Sequence, residues 1–241
     1  MKVVYYSPIP KDRTVALVFD VETTGLLRSR STAKLEDCPH VLQLSYAMYD
    51  CDNKRLLKTV DSYIKIPENV QIPKEASDVN HITSEMCADG YLMVDVLKEF
   101  YEDYHKSTVL VAHNYQFDST MLTIEFQRHW AELSLYGAHP YALNLFQYTY
   151  IKNRKMRHMC TMESSTELCK LAHTKPATSV KKEGKPVTYK WPTLLELNKH
   201  LFENDPQPTN LHNSMVDVLV TLKCYIKMEY NHHIFVPALG S

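Results

Sequence analysis

"ALVFDVETTGLL", Ala16 to Leu27, begins as an apolar run and ends on two acids, Asp20 and Glu22. Val15 to Phe19 reads as a strand, apolar throughout and therefore central in a sheet. Side chains alternate faces along a strand, so Asp20 and Glu22 point one way and Val21 the other. At ~3.3 Å per residue their Cα atoms lie ~7 Å apart. Two carboxylates that close repel unless a cation sits between them. Hard oxygen donors suit Mg²⁺ or Mn²⁺. The end of a strand is also where α/β sheets place their ligands. Thr23, Thr24 and Gly25 follow, offering hydroxyls and an approachable backbone to a phosphate. Alone, D-x-E after a strand is weak, because many strands end in solvated acids.

Two more groups repeat the pattern. In "VLVAHNYQFDSTML" a second apolar strand, Thr108 to His113, runs into His113, Asn114 and then Asp118. Asp118 there is read either as an acid favoured at a helix start by capping and the macrodipole, or as a further ligand delivered by a strand end. In "NLHNSMVDVLVTLKCY", His212 and Asp217 are separated by five positions. Inside one helix they would diverge by ~140°. Asn213 or Ser214 resolves this by capping the helix, with Asp217 in its first turns and His212 on the preceding loop. A histidine so placed is either an ordinary surface residue or a general base.

The remaining pattern is mixed. "VLQLSYAMY" (Val41 to Tyr49) alternates in part at period two, and "LLKTVDSYIKI" (Leu56 to Ile66) reads as a strand ended by Pro67. With the first strand they suggest an antiparallel meander. Helical spacing marks Val94 to Tyr104, Asp118 to Trp130, Met162 to Leu171, Thr193 to Phe202, and Ser214 to about Tyr230. Strands and helices then alternate, as in an α/β sheet flanked by helices. "ATSVKKEGKPVTYKW" (177–191) looks like a hairpin insertion turning at Glu183-Gly184. Its Lys181, Lys182, Lys185 and Lys190, ending on Trp191, fit either a solvated hairpin or a nucleic-acid contact.

The 241 residues are 44% hydrophobic, contain five glycines and carry a net charge of −1. One domain spanning 1–241 is expected. Global charge selects neither for nor against nucleic acid, so any basic surface must be local. The cysteines at 38, 51, 87, 160, 169 and 224 form no C-x-x-C pair and fit a reduced protein. No apolar run approaches the ~20 residues of a membrane span, and a soluble intracellular protein is expected.

Together, "FDVETTGL", "HNYQFD" and the H-x4-D of "HNSMVD" resemble the three exonuclease motifs of the DEDDh (DnaQ-like) 3′→5′ exonucleases, the family of the DNA polymerase III proofreading subunit. "IPKEASDVNHIT" is similar to the family's I-P-x-x-A-x-x-x-H-G-I-T segment, with Asn80 and His81 in place of His-Gly. "CTM" (Cys160 to Met162) and "KWPTLLELNKHLF" (Lys190 to Phe202) are also similar to family members. The resemblance implies an RNase H-like fold, a five-stranded mixed sheet with its second strand antiparallel. It implies catalysis by Asp20, Glu22, Asp118, His212 and Asp217. Asp20, Glu22 and Asp217 would hold one Mg²⁺ (or Mn²⁺); Asp20 would bridge to a second, with Asp118 acting mostly through water. His212 would be the general base. Thr23, Thr24 and Gly25, the wedge-like Leu26, and Asn114 would meet the substrate. The implied partner is nucleic acid, DNA in preference to RNA, and no membrane. Association with a DNA polymerase and the oligomeric state are left open. The implied activity releases nucleoside 5′-monophosphates from single-stranded 3′ ends. An exoribonuclease of the same fold and a non-catalytic nucleic-acid-binding module are the competing readings.

Overall fold

A computed structural model of the chain describes residues 13–27, 34–173 and 188–235. The expected basic insertion at 177–191 lies outside these residues, except for Thr188 to Trp191. The strands are β1 (Val15–Thr23), β2 (Val41–Asp50), β3 (Arg55–Tyr63), β4 (Val109–Ala112) and β5 (Arg157–Cys160). They form one sheet in the order β3-β2-β1-β4-β5. β2 is antiparallel to both β1 and β3, while β4 runs parallel to β1 and β5. This is the RNase H-like mixed sheet that the motifs imply.

Before β4 come α1 (Lys74–Asn80), α2 (Ser84–Ala88) and α3 (Met93–Tyr104). After it come α4 (Tyr115–Arg128), α5 (Trp130–Leu135) and α6 (Tyr148–Asn153). Past β5 lie α7 (Thr161–Ser164), α8 (Thr166–Cys169), α9 (Leu194–Leu201) and α10 (Ser214–Tyr230). Among the described residues no helix is long and apolar enough to cross a membrane.

β1 organises the molecule through its alternation. Leu17, Phe19 and Val21 enter one core with Leu97 and Phe100 of α3 and Met121 and Leu122 of α4. Ala16 and Val18 enter a second core with Ala47 and with Val218, Leu222 and Tyr225 of α10. The small side chains there let α10 approach the sheet closely. By the same parity Asp20 and Glu22 face the α10 side. β1 also outlasts its parallel neighbour. Pairing with β4 stops at Val18 opposite Val111, and β4 ends at Ala112, whereas β1 runs on to Thr23. The cleft opens where the two strands part, beside both acids.

The structure adds to or departs from the sequence expectations at four places. β2, whose sequence alternates in part at period two, is buried along all ten residues, because helices cover both sides. The helix expected from Asp118 begins at Tyr115, which places Asp118 inside it. The helix expected over Met162 to Leu171 breaks at Ser165 into two single turns, α7 and α8. β5 was not legible by periodicity because it is a four-residue edge strand with two exposed positions. His81 caps α1 in the left-handed region at φ 59°. A side chain there costs ~1–2 kcal/mol.

The polar residues of β2 have a positioning role. Gln43 and Ser45 are fully buried. Both donate to Asp61 Oδ1, each at 2.7 Å. Since Ser45 gives its proton to Asp61, the Ser214 hydroxyl donates to Ser45 Oγ at 2.6 Å. Gln43 Oε1 accepts the Ser214 N–H at 3.2 Å. The first residue of α10 is thereby anchored to the sheet, which sets the height of His212 and Asp217. Gln43→Leu strands the Ser214 N–H and is expected to cost about 1–3 kcal/mol in urea unfolding, with catalytic activity falling alongside.

Candidate active site

Each sequence-predicted acid reaches the cleft by a different route. Asp20 and Glu22 come from β1, paired opposite Ser45 and Gln43. Asp118 comes from the first turn of α4 and is 2% exposed. It is not a cap. Its Oδ1 accepts the Val21 N–H at 3.2 Å, tying α4 to β1 between the two acids. Asp217 comes from the first turn of α10, whose N-cap is Asn213, with Asn213 Oδ1 accepting from Val216 N at 3.3 Å. His212 sits on the preceding turn in the left-handed region, φ 71°, and its N–H donates to Asp217 Oδ2 at 3.3 Å. That bond pins the strained turn to the helix it precedes. Ligand atoms of Glu22, His212 and Asp217 lie within 4.8 Å of one another.

The electrostatics are lopsided. Burial, then the charges of Asp118, Asp217 and Glu22, hold the Asp20 carboxyl well above its usual range. Burial, then Asp217 and Asp118, push Glu22 up to about 8, with the Asn80 amide pulling it back in part. Burial raises Asp118 to about 8 against the opposing Val21 N–H bond, with Asp217 adding to the rise. Asp217 rises to about 7 by burial, against the His212 N–H bond. Asp20 Oδ2 and Asp217 Oδ1 are buried without a hydrogen-bond partner. Among the described residues lining the cleft there is no lysine or arginine; the basic side chains are His113 and His212. Orphaned carboxylate oxygens, mutual repulsion and hard donors all fit a divalent cation. Asp20, Glu22, Asp118 and Asp217 are the residues that would hold it.

The expected substrate residues line the same cleft, a cavity of about 1540 Å³. The Thr23 hydroxyl is already committed, donating to Gly25 O at 2.7 Å. Thr24 Oγ1 accepts from His40 N at 3.0 Å and keeps its proton free to donate. Leu26 is 79% exposed at the rim. Asn114 caps α4 by position, with no side-chain cap bond.

Two residues were undervalued by sequence reasoning. Asn80, seen only as a departure from the motif, is buried; its Nδ2 donates to Thr23 O at 3.3 Å and its Oδ1 accepts from Ile82 N at 3.0 Å. It braces the end of β1 behind Glu22. His113 is a brace as well. Its Nε2 donates to Pro192 O at 3.1 Å, so Nδ1 accepts from Thr161 Oγ1 at 3.0 Å. Burial lowers its pKa to about 4, keeping the ring neutral.

The raised acids make a signed prediction. Groups that bind protons more tightly when folded lend stability at low pH, and lose it as pH rises from about 4 towards 8. Asp217→Asn removes one charge from the cluster and keeps the acceptor for His212. In metal-free buffer its Tm is expected to exceed that of the wild type by a margin that widens over this pH range. Mg²⁺ raises the wild-type Tm and reverses the order; a margin independent of pH and metal would contradict the electrostatic account.

Comparison with known proteins bears on the family and the fold. The family model described as Exonuclease (RNase_T) matches residues 17–225. The DNA polymerase III subunit epsilon of Treponema pallidum is 33% identical over 122 residues, 51% of this chain and 47% of the relative. The PolC-type DNA polymerase III of Streptococcus pyogenes is 30% identical over 126 residues, 52% of this chain and 8% of the relative. The matched region thus spans about half, or far less, of these relatives. Exonuclease I superposes with a TM-score of 0.61 at 16% identity, over 90% of this chain and 42% of that one. A 3′-exonuclease that recognises the histone mRNA stem-loop superposes at 0.57 and 12%, over 92% of this chain and 84% of that one. At such identities the superpositions establish a shared fold. By motif, fold and family match, the chain belongs to the DnaQ-like 3′→5′ exonuclease family.

Proposed function

We propose that the chain is a divalent-metal-dependent 3′→5′ exonuclease that releases nucleoside 5′-monophosphates from single-stranded 3′ ends of DNA. The observation that carries this reading is the meeting of Asp20, Glu22, Asp118 and Asp217 with His212 in one cleft whose described lining residues include no lysine or arginine. Two Mg²⁺ or Mn²⁺ ions, when bound, would neutralise phosphate charge and acidify a water. Asp20, Glu22 and Asp217 suit one ion, and Asp20 with Asp118 the other. His212 accepts the proton of the attacking water at a ring nitrogen and passes it to solvent, to which the residue is open. Asp217 holds the backbone turn that carries this base through the main-chain His212 N–H. The Thr24 hydroxyl, the Gly25 backbone and Asn114 meet the terminal nucleotide, and Leu26 wedges against its base.

The DNA reading is supported by the relatives, both named as DNA polymerase III proteins. Those names also motivate a polymerase partner as a companion proposal. The RNA reading remains the competitor, since the fold is shared with a 3′-exonuclease of histone mRNA. Neither the acids nor His212 distinguish a 2′-OH.

With a labelled DNA oligomer and Mg²⁺, Asp20→Ala is expected to abolish mononucleotide release, and His212→Ala to lower kcat roughly 10²–10⁴-fold. Undiminished release by purified Asp20→Ala protein would refute the assignment. Parallel time courses on matched DNA and RNA strands, with a 3′-blocked control for polarity, decide the substrate; faster RNA digestion selects the exoribonuclease.

A further inference from the structure

Trp191 has no part in the chemistry above, yet it lines the acidic cleft and is 60% exposed there. Leaving so large an apolar ring in water forgoes a substantial burial gain. The segment carrying it is not loosely held. On one side Lys190 N–H donates to Leu171 O at 3.0 Å, and Lys190 Nζ pairs with Glu196 at 2.6 Å. On the other side Pro192 is buried and its carbonyl accepts from His113 Nε2 at 3.1 Å. Thr193 then caps α9 in a capping box with Glu196. Both flanks of Trp191 are pinned, and one pin is the neutral, half-buried histidine of the same loop that delivers Asn114 and Asp118. The backbone that carries the ring is therefore registered to the loop leading to Asn114 and Asp118.

The chemistry of the wall narrows the occupant. Among its described residues the cleft offers Leu26, Val79, Phe117 and Trp191 but no lysine or arginine. Apart from the acidic floor, it therefore presents flat apolar surface to bases more readily than charge to phosphates. We propose that Trp191 is a substrate-positioning platform on which one base of the bound strand, other than the 3′-terminal base, stacks, holding the strand in register with the scissile phosphate. The inference rests on the exonuclease reading and deepens it. Stacking uses the π-face that every base has, so the platform is indifferent to sequence. It requires an unstacked base, which a duplex interior does not present, and so favours single strands.

The test compares wild type, Trp191→Ala and Trp191→Phe on a short single-stranded DNA oligomer and on the 4-nitrophenyl ester of thymidine 5′-monophosphate. A series of oligomers carrying one abasic site at successive positions from the 3′ end completes it. Trp191→Ala is expected to raise KM for the oligomer ~10- to 100-fold with kcat little changed, and Trp191→Phe to recover most of the loss. Ester hydrolysis should be untouched. At one position the abasic site should weaken wild type but not Trp191→Ala. An unchanged KM, or abasic penalties that add independently of Trp191 at every position, would overturn the platform. If wild type cleaves neither oligomer nor ester, the exonuclease reading fails instead. Should Trp191→Ala not fold, Trp191→Leu keeps an apolar side chain without the aromatic face and answers the same question.

Discussion

Repulsion among four crowded carboxylates, Asp118 buried and the other three half-buried, is the constraint on which this structure turns. Asp20, Glu22, Asp118 and Asp217 are held together at the end of β1, and each is pushed above its ordinary pKa. At neutral pH and above, where the acids must ionise, such a cluster opposes folding until a cation arrives. What holds the acids in place is backbone. The Val21 N–H takes Asp118 and the His212 N–H takes Asp217, while the pleat of β1 fixes Asp20 and Glu22. Rigid main-chain donors resist repulsion better than flexible side chains would, because they lack rotamers through which to yield.

The rest of the fold supplies the stability that this centre lacks. The sheet is covered on both faces, with the larger core against α3 and α4 and the smaller against α10. The smaller core is where precision is needed, since α10 carries Asp217 and follows His212. Small residues in β1 and β2 bring α10 close, and the buried network of Gln43, Ser45, Asp61 and Ser214 fixes its first turn. A polar contact serves better than an apolar one here, because hydrogen bonds specify a register where methyl groups slide.

The cleft has an acidic floor and largely apolar walls, with Asp37 and Glu75 the charged residues among them, and the division follows from its origin. The floor is the parting of β1 and β4, where strand ends present acids. The walls come from segments with separate anchors. Arg128 donates to the carbonyls of Leu35, Cys38 and Pro39, fixing the segment that leads into β2. His113 fixes the segment at Pro192. Each wall is thus tied back to a helix or strand end that also carries, or adjoins, an acid.

Period two in "ALVFDVETTGLL" determined that Asp20 and Glu22 share a face, and helix capping logic determined that His212 precedes α10 while Asp217 lies within it. Both are local consequences of backbone geometry, and both survive in the structure. The motif order was likewise legible, because a site assembled from strand and helix ends leaves an acid at each end. Tertiary structure alone decided the rest. The role of Asp118 as acceptor for Val21 depends on a contact between positions ninety-seven apart. The burial of Gln43 and Ser45 depends on α10 covering them from the far end of the chain. β5 is too short and too exposed at one end to show a period. Asn80 and His113 act by reaching across the fold to carbonyls, and no spacing along the chain records which carbonyl a side chain will meet.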